Sequence, residues 1–240
     1  MESLIDDVSL LEKIAAISEF ADDPTGNWIG GGRPRTNYAG PVGSAGTLAK
    51  NFAHWSAVHY SFYEALVEFD RSMKKPDMFA VDLGCAGGAR TRQLARHYGS
   101  VLGIDRSRKA IDFARTFNES PRVTFIGKDW PCHVAKCDRI FAVEFFEHFK
   151  PQDQANAIRA ALAALNPDGL LFLTMPNEPP QAAPHEGTVL DEGFEALIRG
   201  VGGRAIHRGH FDNEAPGDPC DESWSPYGPK HSHHFAVLAP

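Results

Sequence analysis

Between residues 78 and 176, short apolar runs alternate with amphipathic stretches. The apolar runs have the length of strands and read MFAVDL (78–83), VLGID (101–105), RVTFI (122–126), RIFAV (139–143) and GLLFLTM (169–175). The stretches between them have helical periodicity and lie near 89–98, 107–118 and 152–165. Apolar strands that alternate with helices are typical of a parallel sheet with helices on both faces.

The last fifty residues predict a helix and two more strands. The helix lies near 190–199, and the strands lie at 204–211 and 234–239 with only a polar loop between them. Strands joined by a loop alone pair antiparallel, so we expect a hairpin at the edge of the sheet. The predicted fold class is α/β: a doubly wound, Rossmann-like, mostly parallel sheet of seven strands whose last strand is antiparallel.

The N-terminal third has a different pattern. Apolar positions at helical spacing predict helices over 3–20 and 47–70, and the Gly-, Pro- and Asn-rich segment between them, 22–46, predicts a loop. We therefore divide the chain into an N-terminal helical cap and substrate lid (1–75) and one compact α/β domain (76–240).

Composition narrows the range of partners. The chain has 240 residues and a formal net charge of −7, and an acidic surface argues against nucleic acid as a partner. No run of about 18 apolar residues is present, so we expect no membrane span.

The cysteines have no paired spacing and indicate free thiols in a reducing compartment; they are Cys85, Cys132, Cys137 and Cys220. The acidic N-terminus does not have the pattern of a signal peptide, so we expect a cytoplasmic protein. The oligomeric state is open.

A turn of small residues joins the first strand of this domain to its helix, and it reads Asp-Leu-Gly-Cys-Ala-Gly-Gly over 82–88. Small residues let the backbone approach a ligand closely, and ligands bind at the C-terminal ends of parallel strands. The dinucleotide fingerprint G-x-G-x-x-G would need glycine at 84, 86 and 89. Alanine at 86 and at 89 breaks this fingerprint and disfavours a nicotinamide cofactor.

The turn resembles the first motif of class I S-adenosylmethionine-dependent methyltransferases, D/E-x-G-x-G-x-G, from which it departs at Ala86. The resemblance continues in order over 78–176 and implies S-adenosylmethionine as cofactor. It implies that Asp105 binds both ribose hydroxyls and that Asp129 binds the adenine amino group, with Trp130 packed on the ring. The expected cofactor-binding residues are Asp82, Gly84, Cys85, Ala86, Gly88, Asp105, Arg106, Asp129, Trp130 and Glu144.

Three chemically active side chains follow the fourth strand. Glu144, Glu147 and His148 stand at i, i+3 and i+4, so they would share one face of a helical turn, and His185 could supply a fourth metal ligand. Carboxylates and imidazoles suit Mg²⁺, Mn²⁺, Co²⁺ or Zn²⁺. The ExxEH arrangement resembles the O-methyltransferases of ubiquinone biosynthesis and the enzymes that methylate the 3′-terminal 2′-hydroxyl of small RNAs.

The role of these side chains has three interpretations. A bound metal would lower the pKa of an acceptor hydroxyl. Without metal, His148 or His185 would act as general base beside Glu144. The third interpretation is structural: the two glutamates position cofactor or cap a helix, and His148 packs.

The run His231-Ser232-His233-His234 is a second histidine cluster. If it begins a strand, His233 and His234 point to opposite faces. One interpretation is a set of exposed histidines, which we favour, and the other is a substrate-facing wall formed with His207 and His210.

The pattern as a whole favours O-methylation of a small polar metabolite, such as a sugar derivative, a phenol or a secondary metabolite, with a small-molecule acceptor as partner. Two alternatives remain open. One is a metal-independent N-methyltransferase, and the other is a cofactor-binding scaffold without catalysis.

Overall fold

A computed structural model describes residues 62–179, 187–212 and 232–240. The expected helix over 3–20, the loop over 22–46 and the first part of the helix over 47–70 lie outside the described residues. The proposed division of the chain at residue 75 therefore stays a prediction.

The described residues form five α-helices and seven strands. In chain order they are α1 (62–69), β1 (Phe79–Leu83), α2 (Ala89–Leu94), β2 (Ser100–Asp105), α3 (Arg108–Asn118), β3 (Val123–Gly127), β4 (Cys137–Val143), α4 (Pro151–Ala164), β5 (Leu165–Pro176), α5 (Asp191–Gly200), β6 (Arg204–Asp212) and β7 (Ser232–Ala239). Short 3₁₀ turns occur at Lys75–Asp77 and Phe146–His148. None of the helices in the described ranges is long and apolar enough to cross a membrane.

The strands form one sheet in the order β3-β2-β1-β4-β5-β7-β6. The pairs from β3 to β5 are parallel, and β7 pairs antiparallel with both β5 and β6. The predicted seven-stranded sheet with an antiparallel last strand is confirmed. The strand order reverses between β1 and β4, and ligands bind open α/β sheets at such a switch point.

Alternation along the strands divides the core into two layers. Phe141, Phe172 and Phe235 face the layer that contains α1, α2 and α3, whereas their strand neighbours face α4 and α5. Phe141 and Phe172 stack with ring centroids 4.7 Å apart. Because successive side chains of a strand point to opposite faces, both layers are apolar and the inner strands are buried on both sides.

A buried ion pair attaches α1 to the sheet. Asp70, just after α1, accepts hydrogen bonds from Nε and Nη2 of Arg139 on β4 at 2.7 and 3.0 Å. Tyr98 Oη donates to the same carboxylate at 3.0 Å. Burial would raise the pKa of Asp70, but the Arg139 contacts outweigh it, so the pKa is lowered. The pair fixes the end of α1 against β4.

Candidate functional site

Two turns with left-handed backbone lie side by side at the switch point. In the turn after β1, Gly84 has φ 72°, Ala86 has φ 44° and Gly88 has φ 81°; in the turn after β4, Glu144 has φ 51°. Among the described residues, Ala86 and Glu144 are the only ones other than glycine with positive φ. Such strained conformations concentrate at functional sites. The two tips are adjacent because β1 pairs with β4.

The turn after β1 is closely packed. The N–H groups of Gly84 and Cys85 donate to the Ile104 carbonyl of β2 at 2.8 and 3.1 Å. A Cβ at position 84 would lie 2.6 Å from Cδ2 of Phe145, and one at 88 would lie 2.5 Å from Cζ of Phe125. Glycine is therefore required at both positions, for space as well as for backbone conformation.

Asp82 lies beneath this turn and is fully buried. Tyr63 Oη donates to Oδ1 at 2.5 Å, and Thr91 Oγ1 donates to Oδ2 at 2.6 Å. Burial raises the pKa of Asp82 to about 6, although both hydrogen bonds oppose that rise. The geometry gives Asp82 a supporting position, and its carboxylate could reach a ligand only if Tyr63 or Thr91 moved.

Asp105 ends β2 and faces the turn. Its Oδ2 accepts from the Ala86 N–H at 3.0 Å, and its Oδ1 accepts from the Ser107 N–H at 2.8 Å. A carboxylate offers about four acceptor positions. The two backbone contacts are therefore compatible with further hydrogen bonds from the vicinal hydroxyls of a ribose. The residues at this tip fit the nucleoside that the sequence resemblance implies.

The other expected cofactor residues lie around the same edge. Asp129 and Arg106 are exposed near the ends of β3 and β2. Trp130 Nε1 donates to the Ala157 carbonyl of α4 at 3.0 Å, which fixes the indole against that helix. Cys85 is a buried free thiol, and burial raises its pKa well above the ordinary value. The adenine contacts expected of Asp129 and Trp130 stay predictions.

Glu144 contacts a threonine and a histidine from two other strands. Thr174 Oγ1 on β5 donates to Glu144 Oε1 at 2.8 Å, and His233 Nδ1 on β7 lies 3.1 Å from the same oxygen. His233 is buried, and neither ring nitrogen has an aligned hydrogen-bond partner in the described part of the chain. Burial would lower the pKa of His233, but the carboxylates of Glu144 and Glu178 outweigh burial and raise it.

Glu147 and His148 lie in the 3₁₀ turn that follows. Glu147 is buried, its Oε1 is 3.7 Å from His148 Nε2, and its Oε2 has no hydrogen-bond partner among the described residues. Burial and the nearby Glu144 carboxylate raise the pKa of Glu147 well above its ordinary value.

Glu144, Glu147 and His148 do not form a preformed metal site. In the described ranges, the one set of three such side chains whose ligand atoms all lie within 4.8 Å is Asp191, His210 and His234, elsewhere in the fold. His185 lies outside the described residues. The donors expected after the fourth strand would therefore have to rearrange to bind one ion.

Sequence reasoning missed several contacts that are non-local. They are the contacts of Tyr63 and Thr91 with Asp82, the ring of Phe145 over Gly84, and the contacts of Thr174 and His233 with Glu144. The favoured interpretation of His233 and His234 as exposed was wrong, since both are buried. Strand alternation did predict that they face opposite sides, and His233 packs on Phe62 whereas His234 stacks on Phe194.

The site lies within the segment that matches a known family. Residues 80–169 match a family model described as a methyltransferase domain. The chain is 32% identical over 107 residues to a ubiquinone biosynthesis O-methyltransferase of Actinobacillus pleuropneumoniae, covering 40% of this chain and 45% of that protein. It is 30% identical over 139 residues to the cyclopropane mycolic acid synthase MmaA2 of Mycobacterium tuberculosis, covering 53% of this chain and 48% of that protein. The chain thus spans about half the length of these relatives.

Solved structures share the fold at low sequence identity. Magnesium protoporphyrin IX methyltransferase of Synechocystis PCC 6803 with bound S-adenosylhomocysteine superposes with a TM-score of 0.62 at 14% identity, covering 95% of this chain and all of that one. The N-methyltransferase NodS of Bradyrhizobium japonicum superposes with a TM-score of 0.57 at 14% identity, covering 93% of this chain and 95% of that one. The family match identifies residues 80–169 as a methyltransferase domain, and the order of the strands and the glycine turn agree with the fold of these solved methyltransferases.

Proposed function

We propose that the chain transfers a methyl group from S-adenosylmethionine to a small-molecule acceptor. The observation that carries this proposal is the position of the matched domain's glycine turn. It lies at the switch point, beside the Asp105 carboxylate and directly against the strained Glu144 turn. Cofactor-binding and proton-accepting groups would then occupy adjacent strand tips.

The residues of this chain would divide the work between positioning and proton removal. Bound S-adenosylmethionine supplies a methyl group on a sulfonium that already carries its leaving group, so methyl transfer mainly needs alignment with a nucleophilic acceptor. Asp105 would fix the ribose, and the turn over 84–88 would carry the amino-acid portion across the end of β1. Phe145 would exclude water beside Gly84.

We further propose an oxygen acceptor, deprotonated by the Glu144–His233 pair. A carboxylate that contacts an imidazole at 3.1 Å can orient the ring, whose other nitrogen Nε2 can then accept a proton from a hydroxyl. An amine acceptor would need less assistance, and the relatives named above act on different acceptors. A divalent ion at Glu144, Glu147, His148 and His185 is the second hypothesis, and the buried, unpartnered Glu147 oxygen favours it.

Calorimetry with S-adenosylhomocysteine tests cofactor binding. Asp105→Ala removes the proposed ribose acceptor and should weaken affinity by at least about 1 kcal/mol, roughly fivefold or more. Asp112→Ala, which removes an exposed carboxylate on α3, is the matched control and should bind as the wild type does. Absence of binding to the wild-type chain would refute the proposal, and equal affinity of the two variants would mean that the ribose lies elsewhere.

A methyl-transfer screen over phenols, sugars and amines tests the chemistry. With a hydroxyl acceptor identified, Glu144→Gln and His233→Gln should each lower kcat by about 10²–10⁴-fold, and His233→Gln should do so without loss of S-adenosylhomocysteine affinity. His148→Gln distinguishes the alternative base. Turnover that survives a chelator would exclude the metal hypothesis, and turnover that only a divalent ion restores would support it over the Glu144–His233 pair.

A further inference from the structure

Three potential metal ligands converge on the sheet face opposite the Glu144–His233 pair. Asp191 begins α5, His210 lies on β6 and His234 lies on β7, directly opposite His210 in the strand register. One ligand atom from each lies within 4.8 Å of the other two. We propose that these side chains bind a divalent transition-metal ion, and we call them the edge site.

The distances within the edge site suit one shared ion. His210 Nε2 lies 2.8 Å from Asp191 Oδ1, and His234 Nδ1 lies 3.8 Å from the same oxygen. Tetrahedral ligands at bond lengths of about 2.1 Å stand roughly 3.4 Å apart. One contact must therefore lengthen and the other shorten by about half an ångström. The exposed side chains of Asp191 and His210 can make this adjustment.

The tautomer of His234 points an electron pair into the edge site. Its Nε2 lies 3.0 Å from the Val189 carbonyl oxygen, which can only accept a hydrogen bond, so Nε2 carries the hydrogen. A ring with one proton then presents the Nδ1 lone pair toward the Asp191 carboxylate. Both atoms are electron-rich, and a cation between them would attract both.

The surroundings hold His234 in a ligand's orientation. It is 1% exposed and stacks on Phe194 of α5, with ring centroids 4.4 Å apart and planes at 5°. A backbone carbonyl on the second ring nitrogen is the usual partner of a metal-bound histidine. Asn177 Nδ2 also donates to Asp191 Oδ1 at 3.2 Å. The buried ligand is therefore preorganised, and the two exposed ligands can close over the ion.

The donor set defines the class of ion. Two imidazoles and one carboxylate favour Zn²⁺, Co²⁺ or Ni²⁺ over Mg²⁺ and Ca²⁺, which prefer oxygen ligands alone. The ion would join α5 to β6 and β7. Because His233 precedes His234 on β7 and contacts Glu144 from the opposite face, the edge site would fix the strand that carries His233. This role is separate from cofactor binding.

Titration of the full chain with Co²⁺, after removal of any purification tag, tests the edge site. We expect one Co²⁺ to bind with visible absorption of a low-symmetry nitrogen–oxygen site, and Zn²⁺ to displace it. His210→Gln and Asp191→Asn should each weaken binding by at least about tenfold. His207→Gln is the matched control, since it removes an exposed histidine of the same strand and should leave Co²⁺ affinity unchanged.

The outcomes are decisive in both directions. A Zn²⁺-dependent rise in Tm that is lost in His210→Gln and Asp191→Asn, and kept in His207→Gln, supports the edge site. Absence of Co²⁺ binding, or equal affinity in all three variants, overturns it. S-adenosylhomocysteine affinity measured on the same variants separates this result from the proposed function, because the edge site contributes no group to the cofactor.

Discussion

Asp82 places a carboxyl group in a fully buried part of the candidate site. Its pKa is about 6 in the folded protein, against 3.8 for an exposed aspartate, mainly because burial disfavours the charged form. Because the pKa of Asp82 is higher in the folded protein than in the unfolded chain, the native state stays protonated up to a higher pH. The contribution of Asp82 to stability therefore falls as pH rises from about 4 to about 6 and is constant above that range.

We predict that Asp82→Asn removes this pH dependence. Relative to the variant, the wild type should lose about 2 kcal/mol of unfolding free energy between pH 4 and pH 6.5, since the whole shift corresponds to roughly 3 kcal/mol and most of it falls in this interval. Urea unfolding at several pH values measures the difference. Asp112→Asn, at an exposed position, should keep the wild-type profile, and parallel profiles for Asp82→Asn and wild type would contradict the prediction.

A comparison of alanine substitutions at Gly84 and Gly202 separates the cost of backbone strain from the cost of steric overlap. Both have positive φ, but a Cβ at 84 would lie 2.6 Å from Phe145 whereas a Cβ at 202 would meet nothing within 4 Å. Gly202→Ala should therefore cost about 1–2 kcal/mol of stability, the strain of a left-handed alanine. Gly84→Ala should cost clearly more, because Phe145 must also move. Thermal unfolding compares the two, and equal losses would show that the Phe145 contact is unimportant.

At the scale of elements, the ion pair between Asp70 and Arg139 fastens α1 to β4. We predict that Asp70→Asn or Arg139→Met alone lowers unfolding free energy by about 3–5 kcal/mol, because each leaves a buried group uncompensated. The double variant should lose less than the sum of the two. The control is the exposed pair of Arg208 and Glu195, whose disruption should cost at most about 1 kcal/mol. Additive losses at the buried pair would contradict this account.

The elements themselves could be predicted from hydrophobic periodicity, and their partners could not. The predicted strand at 101–105 differs from β2 by one residue, because the extra residue, Ser100, is polar and exposed and lies outside the apolar run. The strand predicted at 169–175 begins at Leu165, because residues 165–168 continue the strand with a shift in pairing against β4. Local pattern indicates neither that irregularity nor the insertion of β7 between β5 and β6, which depends on pairing across the sheet.

The candidate site shows the same division. Asp105 and the glycine turn carry a local signal, because a strand end followed by small residues is visible in sequence. The contact of Glu144 with His233 joins residues 89 positions apart and depends on β7 lying beside β5. Alternation within β7 indicated that His233 and His234 diverge. It could not indicate which partner each would meet, so the proposed general base changed from His148 or His185 to His233.

For the whole molecule, the switch point brings together, at one edge of the sheet, the turns that contain Ala86 and Glu144, the positive-φ residues other than glycine in the described ranges. Ligand binding at this edge should be detectable without an assay of the chemistry. We predict that S-adenosylhomocysteine slows amide hydrogen exchange in 84–88, 104–107 and 144–148, because these turns meet at the C-terminal ends of β1, β2 and β4. Segment 74–78, at the opposite end of β1, is the internal control and should exchange at the same rate with and without ligand. Protection of 74–78 in place of the three turns would place the ligand at the wrong edge of the sheet and would remove the physical basis for the proposed methyl transfer.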